Sequence, residues 1–246
     1  MKKYITFDEI ECLCEGIVIS FIKKMDYKDI RSVDIRTLVT KYLGLPLEHE
    51  HFAEDDKRKI GFFSDGVKPL RVQRNGHVEE VVFPAGTVVV EKMLTAPAES
   101  GRYRFTLAHE AGHKIITDHL PVQLQAAFHS DFDTTLPYTP ELLREAFEIN
   151  ETFANRAAAC LLMPRFLVEK AFKKYNGGKP IAAYGDAAVI TKEDKITIRK
   201  IADEMGVSYL SLYYRLKELK LFEYHPIEEI ADRYYREREE THEQGK

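Results

Sequence analysis

The sequence predicts an α+β protein in which helices flank one block of short strands, and three features carry that reading. Apolar residues recur at helical spacing near the N-terminus. Short β-rich runs separated by turn residues crowd the stretch between about 60 and 90. Beyond residue 103 the strongly periodic segments are helical again.

Residues 8–25 read as an amphipathic helix with Ile10, Leu13, Ile17, Phe21 and Ile22 on its apolar side. A second helix is expected over 32–43, with Ser32 as its cap and Gly44 and Pro46 as its stop. Residues 48–59 are polar and read as a loop or a strand edge. Ile60–Phe63, Leu70–Gln73, Val78–Phe83 and Thr87–Val90 then read as strands of an antiparallel meander. Asn75-Gly76 between two of them marks a tight hairpin. A helix follows from Tyr103 to about Ile116, then an irregular stretch over 117–138. Thr139-Pro140-Glu141 opens a helix that should run to Met163, because Pro164 cannot continue it. A loop after Asn176 leads to helices near 197–205 and 208–219 and a charged tail. The division expected is an N-terminal helical segment over 1–47, a core over 48–176 and a C-terminal helical module over 177–246.

Composition excludes several classes. The 246 residues are 44% hydrophobic and 31% charged, with 14 Phe and 13 Tyr, enough to build a core. A net charge of -4 gives no global attraction to a polyanion. Cys12, Cys14 and Cys160 are too few and too odd in number for a disulfide framework, which points to a reducing compartment. Glu11 and Glu15 interrupt the apolar N-terminal stretch, and no run of about 18 apolar residues occurs. The expectation is therefore a cytoplasmic chain with no membrane span.

The chemistry concentrates in His109-Glu110-Ala111-Gly112-His113. On a helix, residues four apart share a face, so both imidazoles can reach one ion. Glu110 leaves the axis about 100° away, placed to work on a water without being a ligand. Gly112, costly inside a helix, suggests a surface kept low for a substrate backbone. A chance match would instead leave one histidine packed and the other solvated. A catalytic ion also needs a third protein ligand, and 140–163 offers Glu145, Glu148 and Glu151. Glu151 shares a side with Phe147, Ala154 and Ala158, so it is expected to face inward, where an unpaired carboxylate is costly. Glu148 is the reserve ligand or a supporting group, and Asn155, one turn on from Glu151, could hydrogen-bond a ligand. His119 and His129 read as ordinary loop histidines, and nothing brings a third ligand to His49-Glu50-His51.

Arg104 through His113 resembles the active-site helix of the ImmA/IrrE metallopeptidases. Asn150-Glu151-Thr152-Phe153-Ala154-Asn155, followed by Leu161-Leu162-Met163-Pro164, is similar to that family's second motif. The resemblance covers about residues 30–221 and implies a zincin-like arrangement of a small antiparallel sheet against the two motif helices. It further implies Zn2+ held by His109, His113 and Glu151, with Glu110 as the catalytic carboxylate. Phe153 and Ala157 depart from the family pattern, where an acid and a Phe are common. The implied role is an endopeptidase that cleaves a transcriptional repressor to induce genes of a mobile element or a stress response. Tyr103 is a candidate oxyanion donor.

Residues 199–221 have helix-turn-helix spacing around Gly206, with Ser208 as a cap. This admits an alternative: a DNA-binding regulator with a non-catalytic metal site. The second helix shows Tyr209, Ser211 and Tyr213 where a DNA reader carries Arg or Lys, so a structural or protein-docking role is favoured.

Overall fold

A computed structural model describes residues 5–119 and 140–230, with 140–149 as backbone. It divides into two compact units, one of Met1–Arg165 with Met205–Val207 and one of Phe166–Glu204 with Ser208–Lys246. The architecture is mixed α+β.

In the first unit, α1 spans Phe7–Lys24 and opens on a capping box. The Thr6 hydroxyl accepts from the Glu9 amide at 3.2 Å, and the Glu9 carboxylate accepts from the Thr6 amide at 2.8 Å. Acids in its first turn and Lys23 and Lys24 in its last suit the helix dipole. Ile10, Cys14, Val18 and Phe21 form its buried stripe. α2 covers Ile35–Thr37 and widens into a π-turn over Leu38–Tyr42. It starts later than its apolar pattern suggested, because Asp34 and not Ser32 caps it: the Thr37 amide donates to Asp34 Oδ1 at 3.1 Å.

The central sheet departs from the expected meander. β1 (Leu47–Glu50) pairs parallel with β5 (Val88–Glu91), and β2 (Gly61–Phe63) pairs antiparallel with the other side of β5. The order is β1-β5-β2. β3 (Leu70–Arg74) and β4 (His77–Val81) form a separate hairpin. Its Asn75 and Gly76 both have left-handed φ, 51° and 81°, as the tight turn requires. Val88, Val89 and Val90 are fully buried, so β5 occupies the middle and takes a strand on each side. β1 is Leu-Glu-His-Glu, a polar edge strand with little hydrophobic pattern to announce it.

α3 (Ser100–His119) packs on this sheet, and α4 (Pro140–Leu162) packs on α3 and α1. α4 stops ahead of Pro164, as its sequence requires. The proposed cap Thr139, the stretch 120–138 and the tail from 231 lie outside the described residues.

The second unit holds α5 (Arg165–Asn176) and α6 (Lys192–Met205), except their end residues Arg165 and Met205, together with α7 (Tyr209–Glu218). α5 follows directly on Pro164, a helix not expected from the sequence. Ser208 caps α7, accepting from the Ser211 amide at 3.0 Å. β6 (Ile181–Tyr184), in the stretch expected as a loop, pairs in parallel with β7 (Phe222–His225). Among the described residues no helix is long and apolar enough to cross a membrane.

α1 is fastened to α4 by a buried ion pair. Arg156 Nη2 donates to Glu11 Oε2 at 3.0 Å, with side chains 12% and 9% exposed, and Cys160 Sγ reaches the same oxygen at 3.2 Å. Removing the acid takes a counter-charge from a buried guanidinium. Glu11→Ala should therefore cost about 3–5 kcal/mol in urea unfolding. Lys28→Ala, which breaks an exposed pair with Asp26, should cost under about 1 kcal/mol. Equal losses from the two would remove this role from Glu11.

Candidate metal centre

α3 presents His109 and His113 one turn apart, their rings edge to face with centroids 4.7 Å apart. The two Nε2 atoms stand 3.1 Å from each other. Glu151 on α4 closes the triangle, with Oε2 3.2 Å from His109 Nε2 and Oε1 3.5 Å from His113 Nε2. Two ring nitrogens and a carboxylate this close together are placed to share a cation. Ligand bonds of about 2.0–2.2 Å at tetrahedral angles set ligand atoms about 3.3 Å apart, so the triangle has the size of one face of a zinc site. Among the described residues, this is the group of three His, Cys, Asp or Glu side chains able to hold an ion.

Two asparagines of α4 set the imidazole tautomers. His109 Nδ1 donates to Asn155 Oδ1 at 3.0 Å, and His113 Nδ1 donates to Asn150 Oδ1 at 3.3 Å. With both Nδ1 atoms protonated, each Nε2 lone pair turns to the shared centre. Asn155 was expected in this role and Asn150 was not. The signal was available: on an antiparallel helix, the partner of His113 should lie about a turn before the partner of His109.

Burial opposes a charge on His109, but Glu151, Glu110 and Asn155 outweigh it and hold its pKa above the ordinary value. Burial and the His109 charge push His113 the other way, below its ordinary value, against Glu151 and Asn150. The His109 hydrogen bond pulls the Glu151 carboxyl down, with burial opposing it. Glu110 is buried with its carboxylate against Gly61 of β2. Burial raises its pKa to about 7, a rise that His109, Lys59 and the Phe63 amide restrain and Glu151 assists.

Two expectations change. Glu151 does not face the interior, since its side chain is 60% exposed. Its carboxylate reaches over the histidines from the rim of the helix contact, so its place there follows from convergence and not from a cost of burial. Gly112 does not lower the surface toward a substrate: a Cβ there would stand 3.0 Å from Ala154 O and 3.2 Å from Ala157 Cβ. It faces α4. The Tyr103 hydroxyl is engaged with His49 Nε2 at 3.1 Å, their rings stacked. His51 pairs with Glu91 at 3.2 Å, and His119 Nδ1 donates to Ile115 O at 2.7 Å, as ordinary histidines do. The side chains of Glu145, Phe147 and Glu148, and all of His129, lie outside the described residues.

Residues 93–217 match the family model of peptidase M78, the IrrE N-terminal-like domain. The matched span contains His109, Glu110, His113, Asn150, Glu151 and Asn155. No curated protein matches the chain.

The geometry orders the effects of substitution on metal binding. Glu151→Gln should abolish tight binding, because a neutral amide is a poor ligand for a divalent ion. Asn150→Ala and Asn155→Ala should each weaken it about 10–100-fold, and Glu148→Gln by no more than that. Competitive zinc titration against a chromophoric chelator measures all four. Retention of the ion by Glu151→Gln together with its loss in Glu148→Gln would move the third ligand one turn along α4.

Proposed function

Because the chain belongs to the IrrE N-terminal-like family of M78 peptidases, we propose that it is a zinc-dependent endopeptidase. His109, His113 and Glu151 would hold the ion, and Glu110 is the general base. The observation that carries this reading is the convergence of three ligand atoms beside a buried carboxylate whose pKa is raised to about 7. A zinc ion held there would polarise the scissile carbonyl and lower the pKa of water. A structural zinc usually has four protein ligands, whereas three groups converge among the described residues, which supports a catalytic ion. Glu110 takes the proton of the attacking water and delivers it to the leaving amine. A carboxylate with a pKa near the working pH suits both halves of that exchange.

The β2 edge supports an extended peptide as substrate. The Glu91 amide donates to Ile60 O, and the Ser64 amide to Thr87 O, each at 2.9 Å. Alternation along an antiparallel strand then turns the backbone groups of Gly61 and Phe63 to the side of β2 away from β5, where the Phe63 amide meets the Glu110 carboxylate and no strand pairs among the described residues. A peptide added there as a further strand would run past Glu110. The physiological substrate on this reading is a transcriptional repressor, cleaved in the cytoplasm, where Cys12, Cys14 and Cys160 stay reduced. The helical module of residues 177–246 serves protein contact and not DNA: α7 exposes Leu210 and Tyr214.

Purified protein should carry one zinc per chain. Glu110→Gln should keep that zinc and lose about 10²–10⁴-fold in cleavage rate. Cleavage of candidate repressors at the parent rate by Glu110→Gln would refute the role of the base. Electrophoretic titration with operator-like duplexes should give no sequence-selective complex. A salt-sensitive one tighter than about 10⁻⁷ M would favour a DNA-binding regulator.

A further inference from the structure

β2 carries a glycine that its backbone does not require. Gly61 sits in regular register opposite Val90 and has no positive φ, so any residue could adopt its conformation. Inside a strand, glycine weakens pairing and leaves nothing to pack. What it provides here is space. A Cβ on Gly61 would stand 2.2 Å from Glu110 Oε1, 2.9 Å from Glu110 Cδ and 2.7 Å from Thr106 Cγ2. Carbon atoms in ordinary contact are about 3.5–4.0 Å apart, so not even a methyl group fits. Thr106 lies one turn before Glu110 on α3, and both are buried, at 5% and 7% exposure. The carboxylate is the end of a flexible side chain, and it is the group that a methyl would drive out.

We infer that Gly61 is a positioning residue: the space of its missing side chain is the berth of the Glu110 carboxylate, held against the open edge of β2. The inference rests on the reading of Glu110 as the base. It adds that the strand proposed to align the peptide also fixes where the base stands relative to it. One element thus sets both partners of the proton transfer. A glycine needed merely for close packing of α3 on the sheet would behave differently, since its loss would cost stability without acting through Glu110.

The test is Gly61→Ala in the full-length, zinc-loaded protein. Zinc affinity and KM should be unchanged while kcat falls on the order of 10²-fold, the cost of a misplaced catalytic group. In a Glu110→Gln background the same substitution should cause no further loss, because two residues that act as a unit are not additive. The crystal structure of Gly61→Ala should show the Glu110 carboxylate moved off β2 with the three ligand side chains in place. Gly61→Ala/Thr106→Ser removes the Cγ2 contact, leaving Glu110 as the group displaced, and should show the same kcat loss if the single variant folds poorly. An unmoved carboxylate, or an equal further loss in the Glu110→Gln background, would overturn the assignment. If the parent cleaves no peptide, the peptidase reading fails on its own, and the crystal structure still decides the berth.

Discussion

The approach of α3 to α4 at Gly112 governs where the rest of the centre can stand. A side chain at 112 would meet the Ala154 carbonyl at 3.0 Å, so the two backbones are as close there as a glycine permits. Ala154, Ala157 and Ala158 continue the seam with small, fully buried side chains. Across this seam Glu151 of α4 meets the histidines of α3 at 3.2 and 3.5 Å and completes the triangle whose third edge, 3.1 Å, joins the two histidines. The Arg156–Glu11 pair braces α4 from its other side, so the seam is held from both directions.

That arrangement gives two carboxylates opposite environments within one small volume. Glu110 is buried and its pKa rises to about 7. Glu151 is open to solvent on one side, and the His109 hydrogen bond pulls its pKa below the usual range. The two groups thus separate into one suited to exchanging a proton near neutrality and one suited to staying charged beside a cation. The difference arises from which side of α3 each approaches: Glu110 reaches toward the sheet, Glu151 arrives over the rim from α4.

What could be read from the chain was whatever depends on local periodicity. The placement of His109 and His113 on one face needs no more than the helical repeat, and Glu151 and Asn155 followed from the register of a second helix. The Asn75-Gly76 turn was legible because both its residues tolerate left-handed φ. Pairing between distant segments was not. β1 is too polar to stand out, and β6, though fully buried, is four residues long and meets its partner about forty residues later. The reasons for Gly61 and Gly112 were hidden for a related cause: each glycine answers to an atom of another element, Glu110 Oε1 in one case and Ala154 O in the other. The exposure of Glu151 was misread because helical spacing tells which neighbours a residue shares, not where the contact with the next helix ends.

The anchoring of both imidazoles by neutral amides has a consequence for occupancy. Asn150 and Asn155 orient the rings without adding charge, so Glu151 is the sole anion among the three converging ligands. His109, with its raised pKa, retains a proton more readily than an isolated imidazole, stabilised mainly by Glu151 against the cost of burial. Protons and a divalent ion would therefore compete for one seat. Loading would expel what His109 holds, and apparent affinity would change by about tenfold per pH unit for each proton displaced. Acidification would empty such a centre and modest alkalinity fill it, so that metal supply and pH would act on it as a single variable.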